Sequence, residues 1–155
     1  MRDLTALPNN GLWYAEDLRP GDFMDVGSVA VTRDEIIEFA TRFDPLDIHL
    51  DGNSSPFGEV IASGMHTMAL FSSLASRVFF PRLAIVAGKG LERMRLPNPV
   101  WPGAVLSGRV TINDIVMGSG RADLVHDITF VDDSDRVVLK MTGVVVILRR
   151  GDGKP

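Results

Sequence analysis

Between Met65 and Arg77 the chain reads Met-His-Thr-Met-Ala-Leu-Phe-Ser-Ser-Leu-Ala-Ser-Arg. Wound into a helix, Met65, Met68, Ala69, Leu70, Phe71, Leu74 and Ala75 leave almost no fully polar face. A helix apolar nearly all round has to be wrapped by other structure. The wrapping is protein rather than lipid. The wider apolar stretch from Val60 to Phe80 is broken by Ser63, His66, Ser72, Ser73, Ser76 and Arg77, whereas a membrane span wants about 20 predominantly apolar residues.

What could do the wrapping lies mostly downstream. Leu83 to Leu96, Val105 to Met117, Ala122 to Val131 and Val137 to Leu148 are rich in Val, Ile, Leu and Thr. Turn signals at Asn98-Pro99, Gly118-Ser119-Gly120 and Asp132-Asp133 separate them, so they read as strands of an antiparallel meander. Leu124, His126, Ile128 and Phe130 alternate with Val125, Asp127, Thr129 and Val131, a pattern that does not say which set faces inward. Upstream, Pro20-Gly21 marks a turn before a strand over Phe23 to Val31. Thr32 and Glu35 have capping-box spacing for a helix carrying Ile36, Ile37, Phe39 and Ala40, which ends near Asp44-Pro45. A strongly bent sheet around one helix meets all these demands, an α+β hotdog arrangement. One such domain is expected over residues 15–150, after an irregular lead-in (1–14) and before a tail (151–155).

Composition removes several function classes. With no cysteine, a thiolate metal site, a disulfide and a cysteine nucleophile are all excluded. A net charge of -4 argues against a nucleic-acid partner. The opening residues do not read as a signal peptide, so a cytoplasmic location without membrane attachment is expected. Lys89, Arg93 and Arg95 are candidates for holding the phosphates of an anionic handle, although taken singly each reads better as an ordinary solvated charge.

Asp44 and His49 stand five apart across a proline-containing loop. A carboxylate can orient an imidazole, fix its tautomer and share its proton. By spacing alone, a capping aspartate and a surface-loop histidine is the better reading of the pair. His49, Asp51, His66 and His126 lack metal-ligand spacing, so no metal is expected. Ser63 lacks the elbow of a serine hydrolase, and Gly118-Ser119-Gly120 reads as a hairpin turn, not a phosphate loop.

The run Phe39-Ala40-Thr41-Arg42-Phe43-Asp44-Pro45-Leu46-Asp47-Ile48-His49-Leu50-Asp51 resembles the active-site segment of MaoC-like hydratases/dehydratases, which include (R)-specific enoyl-CoA hydratases. Pro56-Phe57-Gly58, then Ile61-Ala62-Ser63-Gly64-Met65-His66, is similar to that family's entry into the central helix. Arg93 to Gly103 resembles its arginine, Pro-Val and Pro-Gly strand junction, and the likeness spans about residues 15–150. The resemblance implies reversible addition of water to an enoyl thioester carried by CoA or acyl carrier protein, without a cofactor. Asp44 and His49 match the catalytic pair, Gly64 the backbone N–H facing the thioester carbonyl, and Ser72 a serine often near the carboxylate. Ser63 and His66 take supporting places, and a homodimer or larger homo-oligomer is implied. Where many members carry Asn-Pro, this chain has Leu46 and Asp47, with the proline moved to Pro45. Fold does not fix reaction, so an acyl-thioesterase and a non-catalytic acyl-thioester-binding protein stay open as alternatives.

Overall fold

The computed structural model describes residues 1–151. In chain order it has strand β1 (Phe23–Ala30), helices α1 (Arg33–Phe43), α2 (Asp47–Leu50) and α3 (Gly64–Val78), and strands β2 (Ile85–Arg95), β3 (Val105–Met117), β4 (Arg121–Val131) and β5 (Val137–Leu148). The expected tail lies outside the described residues except for Gly151.

The five strands form one antiparallel sheet in the order β1-β3-β4-β5-β2. Register shifts at Asp25/Gly27, at Ile112/Asp114 and at three places in β2 mark the bulges where it bends. The alternation in β4 is resolved: Leu124, His126, Ile128 and Phe130 face the helix and are buried. Phe71 of α3 fills the concavity. Its ring meets Phe130 edge-on, with centroids 5.5 Å apart, and sits where a Cβ on Gly108 would come within 2.8 Å. Glycine at that point of β3 therefore lets the helix seat deeply. Truncating a buried phenylalanine of this kind costs about 3–5 kcal/mol. This is the hotdog fold, α+β, with one long helix lying against a bent antiparallel sheet.

The wrapping of α3 is one-sided. His66, Thr67, Phe71 and Ala75 are buried, while Met65 is 50% exposed and Ala69, Ser72, Ser76 and Arg77 face outward. A single sheet can cover only one side of a helix, so the remaining flank stays open beside the free edge of β2.

The lead-in is more ordered than its composition suggests. Leu4 and Trp13 are buried, the Trp13 N–H donates to the Arg82 carbonyl, and the Ala84 N–H donates to that of Trp13. Arg2 forks onto Asp22 through Nε–Oδ1 (3.0 Å) and Nη2–Oδ2 (2.6 Å).

Candidate active site

The local chain path puts a helix end, a single helical turn and a helix start side by side. Thr32 caps α1 through the expected box with Glu35. At the other end Asp44 is the C-cap, its N–H donating to the Ala40 carbonyl at 2.9 Å, and Pro45 prevents continuation. The segment expected to be all loop instead forms α2, one turn in which the His49 N–H donates to the Leu46 carbonyl. That turn swings His49 inward, leaving it 6% exposed. The Ile61 N–H then donates to the Ile48 carbonyl and the Ala62 N–H to that of Val100, which lays residues 60–63 along α2. Ser63 follows as the N-cap of α3.

Three side chains converge there. The Ser63 hydroxyl donates to Asp44 Oδ2 at 2.7 Å, and His49 Nε2 lies 3.3 Å from the same oxygen. His49 Nδ1 lies 2.6 Å from the Ile61 carbonyl oxygen. A carbonyl can only accept, so Nδ1 carries a proton. Nε2 is then the ring nitrogen that faces the Asp44 carboxylate.

Beside it is a cavity of about 450 Å³ lined by His49, Gly64, Thr67, Phe57, Leu96 and Val100, among others. Met65 N–H donates to Ser63 Oγ at 3.2 Å, and the Gly64 N–H has no partner among the described residues. Gly64 opens a 15-residue helix, so this donor sits at the positive end of the helix dipole. A Cβ at Gly64 would lie 2.3 Å from Leu96 Cδ1. The room left by the missing side chain is thus occupied by the leucine that forms part of the cavity wall.

The other expected residues are placed differently. Ser72 makes no hydrogen bond to Asp44; Ser63 does, and Ser72 stands at a second cavity two turns along α3. His66 stacks on Phe39 of α1 at 4.6 Å, tying the two helices together. Burial holds its imidazole below the ordinary value against the opposing pull of Glu35. Lys89 pairs with Asp123 at 2.5 Å, and none of the three cations lines the cavity beside His49. Arg93 and Arg95 are exposed on β2 immediately before Leu96 and Pro97 of the cavity wall, Arg93 with a left-handed φ of 53°. Among the described residues no group of three or more His, Asp or Glu side chains gathers to hold a metal. Sequence reasoning missed the Ile61 carbonyl, since a main-chain acceptor has no residue signature, and missed Leu96, an unremarkable leucine at a strand end.

Comparison with known proteins agrees with this architecture. Residues 19–130 match the family model of the MaoC like domain. The uncharacterised protein YdeM of Bacillus subtilis is 32% identical over 97 residues, covering 61% of this chain and 69% of YdeM. The crystal structure of a MaoC-like dehydratase from Rhodospirillum rubrum superposes with a TM-score of 0.81 at 33% identity, covering 90% of this chain and 99% of that one. An unliganded R-hydratase from Pseudomonas aeruginosa shares the fold, with a TM-score of 0.71 at 18% identity over 92% of this chain and 94% of that one.

Proposed function

This chain belongs to the MaoC-like domain family of hydratases and dehydratases, and from that premise we propose that it adds water reversibly to an enoyl thioester, with Asp44 and His49 as the working pair. The observation that carries the reading is the shared Oδ2 of Asp44, which meets both the Ser63 hydroxyl and His49 Nε2 beside a cavity that reaches Gly64.

The chemistry needs two proton movements. As the oxygen of a water held by the pair bonds to the β carbon, the water loses a proton to the pair. The π electrons of the double bond shift toward the thioester, whose carbonyl oxygen becomes an enolate oxygen. The pair then returns a proton to the α carbon, and the charge collapses back into the carbonyl. The Gly64 N–H and the start of α3 stabilise the enolate oxygen, an interaction whose loss typically costs about 3 kcal/mol of barrier. Arg93 and Arg95, exposed at the end of β2, would meet the phosphates of a CoA handle.

A homodimer fits the surface that one protomer leaves bare. β2 is the sheet edge opposite β1, its residues are exposed almost throughout, and Ile85, Val86 and Leu91 are 42%, 44% and 53% exposed. An open apolar edge of this length invites pairing with a second copy.

The test is loss of double-bond absorbance across a panel of enoyl-CoA thioesters, comparing wild type with His49→Ala and Asp44→Ala. Rapid hydration by wild type and a large loss in both variants is the expected result. Equal rates in all three proteins end the proposal, and thiol release without double-bond loss assigns the chain to the thioesterases instead.

A further inference from the structure

Three polar side chains stand on the wall of the cavity beside His49: the histidine itself, Asn98 and Thr67. Asn98 is committed, its Nδ2 donating to the Val137 carbonyl at 2.9 Å. Thr67 is the one hydroxyl among the described residues of that wall, and it is 2% exposed. A buried hydroxyl without a good partner is costly, and valine would fill the place with the same branched shape.

Its position on α3 decides what it faces. Ser63 and Thr67 are i and i+4, about 6 Å apart along the helix axis and on one stripe. Ser63 is the residue whose hydroxyl reaches Asp44 Oδ2, the oxygen 3.3 Å from His49 Nε2. Thr67 therefore stands one turn further along the face that meets the pair. Its N–H donates to the Ser63 carbonyl at 3.0 Å, and its hydroxyl donates to the same oxygen at 3.4 Å. No described residue donates to Thr67 Oγ1. With its proton on the Ser63 side, the hydroxyl has lone pairs left for whatever fills the cavity.

Water addition needs such an acceptor. A water molecule has two protons. One goes to the Asp44/His49 pair as the oxygen bonds to the β carbon. The other stays on that oxygen and becomes the hydroxyl proton of the product. Unless something accepts it, the water turns freely and its lone pair is not held toward the carbon.

We propose that Thr67 Oγ1 accepts this retained proton, first from the attacking water and then from the β-hydroxyl of the 3-hydroxyacyl product. The assignment rests on the hydratase reading of the site.

Steady-state kinetics in both directions test it. Thr67→Val removes the acceptor and keeps the shape. In hydration it is expected to lose about tenfold in kcat with KM for the enoyl thioester unchanged, because the lost contact is to water and not to the thioester. Dehydration is expected to show the converse. There KM for the 3-hydroxyacyl thioester rises about tenfold and kcat holds, since the missing bond is one the bound hydroxyl already makes. The two changes lower kcat/KM by the same factor, as an unchanged equilibrium constant requires. Thr67→Ser keeps a hydroxyl and is expected to recover both values. Thr67→Ala, read against Thr67→Ser, decides the matter should Thr67→Val not fold. Loss of kcat alike in both directions marks a merely structural defect. That result, or constants unchanged from wild type, overturns the role of Thr67 and leaves the hydratase reading standing. Failure of wild type to hydrate any enoyl thioester removes that reading, and the role of Thr67 with it.

Discussion

The Nδ1 of His49 lies 2.6 Å from the carbonyl oxygen of Ile61. This one contact fixes the ring's orientation, because a committed donor at Nδ1 leaves Nε2 as the nitrogen that faces Asp44. Ile61 comes into reach because its own N–H is held by the Ile48 carbonyl one residue before the histidine. The loop thus orients the His49 side chain through main-chain bonds, independently of the side chains at positions 46 and 47.

Asp44→Asn separates geometry from proton transfer. The amide keeps the size and shape of the side chain, so the fold survives, but the one atom that meets both Ser63 and His49 Nε2 can no longer serve both, and the carboxylate proposed to take the proton from water is lost. Turnover is expected to fall on the order of 10²–10⁴-fold with a much smaller change in KM. Ser63→Ala removes both the cap of α3 and the bond to Asp44. It is expected to cost about 1 kcal/mol of stability and roughly tenfold in turnover. Steady-state kinetics and urea unfolding measure both; a larger kinetic loss in Ser63→Ala than in Asp44→Asn would move the chemistry to the serine.

Gly64 and Leu96 form a testable steric couple. A methyl at position 64 collides with Leu96 Cδ1, the far end of a 47% exposed side chain. Gly64→Ala is expected to destabilise by about 1–3 kcal/mol, and Leu96→Ala to recover most of that loss. Unfolding of the two single variants and the double variant gives the coupling directly. Additive losses would mean that Leu96 swings aside freely and that glycine at this position serves the substrate alone.

Much of the scaffold was legible because its signals are periodic or local. The bounds of β3 and β5 match the Val/Ile/Leu/Thr runs, and the Thr32 cap with Glu35 follows from a four-residue pattern. The facing of β4 was not legible, since both alternating sets contain apolar residues; only the seating of Phe71 against Phe130 decides it. Within the candidate site, Asp44 and His49 stood out by chemical type and by resemblance. Which serine meets the carboxylate did not, because Ser63 and Ser72 differ only in their place on α3. The depth of that helix start relative to α1 is a long-range property. Ser63 reaches Asp44 across 19 residues of sequence, a distance that no short motif encodes.

Buried histidines should make stability depend on pH. Burial holds His66 and His126 below their ordinary value of 6.5, so the unfolded chain takes up protons at a pH where the folded chain does not. The stabilisation is complete above about pH 7 and is lost as pH falls through 6.5 toward the folded-state values. His66→Phe preserves a ring against Phe39 and removes a buried Nδ1 that has no partner. The unfolding temperature of wild type is therefore expected to drop between about pH 7 and pH 5, and that of the variant to drop less. Parallel pH profiles would show that His66 contributes nothing to the dependence.

The lead-in should carry measurable stability through Arg2. Asp22 is 2% exposed. Burial pushes its carboxyl upward, but the Arg2 guanidinium and the Arg19 N–H together hold it below the ordinary carboxylate value. Arg2 also donates to the Asp17 carbonyl at 2.9 Å, so one side chain ties two turns of the lead-in to the start of β1. Breaking a buried pair from one side costs about 3–5 kcal/mol, but Arg2 is 35% exposed, and solvent screening reduces the expected loss in Arg2→Ala to about 2 kcal/mol. Asp22→Asn, which leaves no unpaired charge inside, is expected to cost less than Arg2→Ala. The urea midpoints of the two variants test that order. The same depressed carboxyl means that the contribution is present above pH 3.8 and lost as pH falls below it, so the two unfolding curves should draw together in acid.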